Sequence, residues 1–146
     1  DGQPITVILG DNIFEDNISR AVKTFREGAR IFLKKVPDPK RFGVAILEGK
    51  RIVKIMEKPQ TAPSPYAVTG LYQYDGNVFK IIKHLKPSAR GELEITDVNN
   101  AYIKHGRLKA EFVRGFWSDA GTFDSLTRAT QWAMKSRTKG LKNSKK

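Results

Sequence analysis

The sequence predicts an α/β fold, and three neighbouring segments carry that prediction. Ile5 to Leu9 is a short, continuous apolar run rich in β-branched residues, and it ends in Gly10-Asp11-Asn12. Such a run suits a buried parallel strand whose polar residues emerge at its carboxyl end. A helical pattern follows: Asp16 or Asn17 can cap it, Ile18, Ala21, Val22 and Phe25 share a face, and Gly28 stops it. Ala29 to Val36 then returns as a second strand, which completes a β-α-β unit.

The later elements follow in the same manner. Gly43–Leu47 and Arg51–Glu57 flank Glu48-Gly49-Lys50 and read as a hairpin. Pro59, Pro63 and Pro65 make the next stretch a loop, because proline sustains neither helix nor central strand. Tyr66–Tyr74 is the next strand. A helix carries Val78, Ile81, Ile82 and Leu85 on one face before Pro87. Glu94–His105 is another helix, with Ile95, Val98, Tyr102 and Ile103 inward and Gly106 as its stop. Leu108–Val113 is the last strand, and Thr122 caps a final helix carrying Phe123, Leu126, Ala129 and Ala133. The chain opens almost directly in its first strand, and the strand count suits a half-sheet, so the reading expects further chain before it.

The 146 residues amount to one domain, expected over 1–137, followed by a basic tail over 138–146 with four lysines from Lys139 onward. The formal charge of +12 is otherwise scattered, which disfavours nucleic acid as the partner. A positive field of this kind favours any phosphorylated ligand. There is no cysteine, which excludes disulfides and thiolate metal sites. No apolar run approaches the roughly 20 residues of a membrane helix. A cytoplasmic globular protein is the default expectation.

Several residues could carry chemistry. Asp11 sits where a strand runs out, and Asp119 lies in Trp117-Ser118-Asp119-Ala120-Gly121-Thr122 between a strand and a helix. Ligands of open α/β sheets bind at strand carboxyl ends, and two carboxylates there could share a Mg²⁺ ion with substrate phosphates. Turn residues or helix caps are the plain alternative. Glu57-Lys58-Pro59 closes another strand: a carboxylate accepts from sugar hydroxyls and an ammonium suits a phosphate, although the pair could equally be solvated charge. Adjacent strand residues point to opposite faces, which a bent strand end before proline can relax. Gly70 within a good strand marks either a close approach or a bulge. Arg90 either forks onto a phosphate or pairs with Glu92 or Glu94, acids that suit the start of the next helix. His84 and His105 have no partners for a triad or zinc site, and no G-x-S-x-G, P-loop or G-x-G-x-x-G motif is present.

The order of these segments is more specific than any one of them. Leu-Gly-Asp-Asn-Ile-Phe (9–14), Asp-Pro-Lys-Arg-Phe-Gly-Val (38–44), Glu-Lys-Pro (57–59) and Tyr-Ala-Val-Thr-Gly-Leu-Tyr (66–72) come first. Lys-Pro-Ser-Ala-Arg-Gly-Glu-Leu-Glu-Ile-Thr-Asp (86–97) and Trp-Ser-Asp-Ala-Gly-Thr-Phe-Asp-Ser-Leu (117–126) follow. From Ile5 to about Arg137 the chain resembles the C-terminal part of the glucose-1-phosphate thymidylyltransferases. The resemblance implies a Rossmann-like mixed sheet flanked by helices, the nucleotide-diphospho-sugar transferase fold, lacking its N-terminal nucleotide-binding part. It implies a Mg²⁺-dependent reaction of glucose 1-phosphate with dTTP or UTP. It assigns the metal to Asp11 and Asp119, sugar contacts to Gly43, Glu57 and Val68, the sugar phosphate to Lys58 and Arg90, and the pocket wall to Tyr72 and Trp117. It also implies a homo-oligomer or a complex with an N-terminal half.

The sequence departs from the family where the Gly-rich, Arg-bearing triphosphate signature is absent, where Phe42 stands for a frequent Tyr, and where Ser118-Asp119-Ala120 replaces a frequent Leu-Asp-Thr. Two expectations follow: a portion of a transferase that is inactive by itself, or a non-catalytic sugar-phosphate-binding or assembly module.

Overall fold

A computed structural model describes the backbone of residues 2–143 and the side chains of residues 2–136. Its elements are β1 (Ile5–Ile8), β2 (Asn12–Phe14), α1 (Ser19–Thr24), β3 (Ala29–Lys35), β4 (Gly43–Glu48), β5 (Arg51–Glu57) and β6 (Tyr66–Tyr74). There follow α2 (Val78–Lys83), α3 (Ile95–Lys104), β7 (Leu108–Phe112), β8 (Trp117–Asp119) and α4 (Phe123–Asn143).

The main sheet is mixed, in the order β5-β4-β6-β3-β7, with β1 also on β6. Strand β6 is its axis, because every residue after Tyr66 is buried. Val68, Tyr72 and Tyr74 join the core built with Val98 and Tyr102 of α3, whereas Ala67 and Leu71 join the core containing Ala21, Phe32 and Trp117. A strand covered on both faces reads as a nearly continuous apolar run. Its buried amide, Gln73, bonds Thr6 Oγ1 at 3.2 Å and accepts from Arg30 Nη1 at 3.2 Å.

The expected first strand differs in two respects. β1 pairs antiparallel with β6, and its residues alternate between half-buried and exposed, with Ile8 on the outside. Only the face that carries Ile5 and Val7 packs on the core, so the continuous apolar run does not here mark a strand buried on both faces. The β-α-β unit survives in another form: β1 and β3 both run antiparallel to β6 and flank it, while β7 lies parallel to β3. Helix α1 is shorter than expected, with the Ser19 amide donating to Asn17 Oδ1 at 2.8 Å, and Val22 faces outward. Gly28 ends the connection at a φ of 76°.

Helix α4 buries Ala129 as expected but is otherwise turned from the expected face. Phe123 and Leu126 are exposed, while Ser125 and Ala129 are buried and Trp132 stacks on Phe116 at 4.6 Å. The cap explains the rotation. Thr122 Oγ1 accepts from the Ser125 amide at 3.2 Å, and Ser125 Oγ accepts from the Thr122 amide at 3.0 Å, which turns Ser125 inward. The backbone of α4 continues to Asn143, into the stretch expected as a tail; its side chains from 137 and residues 144–146 lie outside the described residues. No helix among the described residues is long and apolar enough to cross a membrane.

Pattern reading misses the two-stranded ribbon β2-β8, because three residues per strand show no periodicity. Its register sets Asn12 opposite Asp119 and Phe14 opposite Trp117.

Candidate active site

The ribbon assembles the site. The Ala120 amide donates to the Asp11 carbonyl at 2.6 Å, so two segments far apart in sequence become neighbours. Asp11 and Asp119 then border one cleft of about 270 Å³ together with Gly43, Glu57, Lys58, Val68, Tyr72 and Trp117. Arg90 stands outside that wall, at the rim, with Nη1 3.9 Å from Glu57 Oε1. Larger hollows exist, including one of about 540 Å³ between α1 and β7. Of its two acids, Asp16 is already engaged by the Arg114 and Gly115 amides at 2.7 and 2.6 Å, and Glu111 pairs with Arg30 Nη1 at 3.2 Å. Convergence of open polar groups, more than volume, singles out the smaller cleft.

Each wall residue has a local cause. Glu57 ends β5 opposite Gly43, and its Oε2 accepts from Thr96 Oγ1 at 2.5 Å. A Cβ on Gly43 would lie 3.3 Å from both of those oxygens, so glycine leaves the carboxylate room. Lys58 adopts a φ of 37°, alone among the described non-glycine residues in having a positive value. A left-handed residue costs roughly 1–2 kcal/mol. Here it bends the chain before Pro59, so that adjacent Glu57 and Lys58 both border the cleft and do not diverge as along a regular strand.

Tyr72 stacks on Tyr74 at 6.0 Å. Burial, then the charges of Glu57 and Asp11, push its phenol far above the ordinary value, so it stays protonated and can donate. Trp117 donates from Nε1 to Asn12 Oδ1 at 2.8 Å and lies 5.2 Å from the Phe42 ring. Asn12 Oδ1 also accepts from the Gly70 amide at 2.8 Å, and its Nδ2 donates to Asp11 Oδ1 at 2.8 Å. A Cβ on Gly70 would fall 2.4 Å from Asn12 Nδ2, so the strand glycine marks a close approach, made by this side chain.

Arg90 satisfies its helix-side reading: Nη2 meets Glu92 at 3.1 Å and Nη1 meets Glu94 at 3.3 Å. Asp119 Oδ2 receives Arg41 Nη2 at 3.3 Å. Asn12, Arg41, Thr96 and Asn99 also line the cleft and escape the sequence reading. Asn12 lies beside a chosen residue, and Thr96 and Asn99 are polar positions buried among the apolar ones of α3. Arg41 carries no such signal.

Among the described residues no three His, Asp or Glu side chains cluster to hold a metal ion. The donor set is nonetheless compatible with Mg²⁺, which commonly takes one or two carboxylates and completes its shell with phosphate oxygens and water.

A mixed sheet with this cleft beside its central strand is the architecture of a nucleotidyl transferase, and the chain belongs to that family, which matches residues 1–136. Its relatives include glucose-1-phosphate thymidylyltransferases. That of Neisseria meningitidis serogroup A is 44% identical over 135 residues, covering 88% of this chain and 47% of the relative. That of Xanthomonas campestris pv. campestris is 45% identical over 139 residues, covering 90% and 47%. The chain thus spans about half the length of the curated relatives it matches. A Bacillus anthracis structure described as a glucose-1-phosphate thymidylyltransferase with sucrose superposes with a TM-score of 0.84 at 53% identity, covering 90% of this chain and 55% of that one. A UDP-glucose pyrophosphorylase complexed with UDP-glucose gives a TM-score of 0.78 at 26% identity, covering 92% and 57%.

Proposed function

We propose that this chain supplies the sugar-phosphate and metal-binding side of a sugar-1-phosphate nucleotidyltransferase. The reaction is glucose 1-phosphate plus dTTP, or UTP, giving the nucleoside diphosphate glucose and pyrophosphate, in the cytoplasm where these metabolites meet. A phosphate oxygen of the sugar phosphate attacks the α-phosphorus; the bond from that phosphorus to the bridging oxygen breaks, and pyrophosphate departs. Catalysis of such a transfer consists mainly of positioning and charge neutralisation. Glu57 accepts from hexose hydroxyls, and Lys58 pairs with the sugar phosphate. Arg90 must exchange its contacts with Glu92 and Glu94 for that phosphate. Tyr72 and Trp117 wall the hexose. Asp11 and Asp119 are the residues that would hold Mg²⁺, which would supply positive charge against the phosphates.

The observation that supports this reading most is the β2-β8 pairing, which sets both aspartates beside Glu57 and Lys58 in one cleft. The 146 residues contain no Gly-rich segment able to cradle a triphosphate, so we propose that they turn over only with a complement carrying one. Mixing the chain with such a complement, dTTP or UTP, glucose 1-phosphate and Mg²⁺ is expected to release pyrophosphate, and Asp119→Asn is expected to lose most of that rate. Full activity of the variant would refute the assignment of Asp119, and turnover by the chain alone would refute its dependence on a complement.

A further inference from the structure

Asn99 is 1% exposed, yet only one side of its amide is used. Tyr74 donates its hydroxyl to Asn99 Oδ1 at 2.7 Å, and burial keeps that phenol protonated. In this arrangement the amide oxygen faces the tyrosine. The other end, Nδ2, is buried with no hydrogen-bond partner. Buried amide donors are almost always paired, so an orphan in a cleft wall points to a missing acceptor. Asn99 lines the same cleft as Glu57, one helical turn beyond Thr96, whose hydroxyl donates to Glu57 Oε2 at 2.5 Å. Helix α3 therefore contributes a potential donor to the cleft whose wall also holds the Glu57 carboxylate. A hydroxyl group satisfies both at once: its proton goes to Glu57, and its lone pair receives Asn99 Nδ2.

We propose that Asn99 determines specificity by donating from Nδ2 to one hydroxyl of the hexose, the same hydroxyl that donates to Glu57. The inference rests on the sugar-phosphate reading of the cleft and extends it to a residue outside the expected set. Its consequence is selective. A site that pairs both roles of one hydroxyl rejects the sugar lacking that hydroxyl, because two buried polar groups are then left unmatched. Sugars lacking any other hydroxyl are affected less.

The test measures calorimetric binding of glucose 1-phosphate and its 2-, 3-, 4- and 6-deoxy analogues to the chain with Mg²⁺, for the wild type and Asn99→Asp. The aspartate keeps the shape and the acceptor for Tyr74 but replaces the free donor with an oxygen. The wild type is expected to bind one analogue markedly more weakly than the others. Asn99→Asp should lose about tenfold for the parent sugar, with that analogue's disadvantage largely erased and the remaining ratios retained. Tyr74→Phe, which leaves Asn99 in place but frees its amide to turn, should weaken the same discrimination severalfold. It decides the matter should Asn99→Asp fail to fold. A wild type that binds and a variant with the same pattern of discrimination would overturn the role of Asn99 alone. A wild type that binds no sugar phosphate would overturn the underlying reading as well.

Discussion

Asp75 and Asp119 both stand at strand ends, and their surroundings are opposite. Asp75 Oδ1 accepts from Tyr102 Oη at 2.7 Å and the Asn77 amide at 3.0 Å. Its Oδ2 accepts from the Gly28 amide at 2.8 Å and Arg107 Nη2 at 2.9 Å. All of its acceptor capacity is filled from within the fold. Among the described residues, Asp119 receives Arg41 at 3.3 Å, and Asp11 receives a side-chain donor from Asn12 alone. A saturated carboxylate holds elements together, in this case β6, α3 and the loop before β3. An unsaturated one has capacity left for a ligand. Sequence alone cannot make this distinction, because both are aspartates next to turns.

The contrast can be broken first by Asp75→Ala. It should cost about 2–4 kcal/mol of stability, read by denaturant unfolding, because it leaves the buried Tyr102 hydroxyl and the Gly28 amide without their acceptor. Asp119→Asn should stay within about 0.5 kcal/mol of the wild type in the same assay. If the two variants unfold alike, the division into structural and ligand-binding carboxylates fails.

Next in size is Gly70→Ala. The new methyl collides with the Asn12 side chain, so a loss of about 1–3 kcal/mol is expected. Adding Asn12→Gly should recover part of it, and strict additivity in the double mutant would contradict the contact. Thr122→Ala removes the α4 cap and should cost about 1 kcal/mol in thermal unfolding.

The pH profile sharpens the same comparison. Burial alone would raise the Asp75 carboxyl, but hydrogen bonds from Tyr102, Gly28 and Asn77 hold it below the ordinary value of 3.8. A carboxyl depressed in the folded state contributes stability that is fully present above the unfolded value and lost as pH falls through the folded one. Unfolding free energies should therefore fall off below that ordinary range, and the slope should flatten in Asp75→Asn.

Much of the fold is legible in the sequence because local patterns and tertiary context agree. Strand β6 and the hairpin of β4 and β5 follow from their β-branched runs and the Gly49 turn. Helix α3 follows from its apolar stripe, with Glu94 and His105 as its flanking caps. Context overrides pattern elsewhere: Ile5–Ile8 lies at an edge although it reads as a core strand, and α4 turns its Ser125 face inward because of a cap network. The candidate site is legible through the order of its segments more than through local chemistry. What stays hidden depends on long-range contact: Arg41 against Asp119, Asn12 inside Gly70, and Tyr74 pinning Asn99.

Asp11 and Asp119 are proposed to act together on one divalent ion beside a sugar phosphate. Mn²⁺ titrated into the isotopically labelled chain with glucose 1-phosphate tests it directly, through paramagnetic broadening of backbone amide resonances. Early, joint broadening is expected at Asn12 and Ala120, abolished by either Asp11→Asn or Asp119→Asn. Broadening centred elsewhere, or unchanged in both variants, would contradict it.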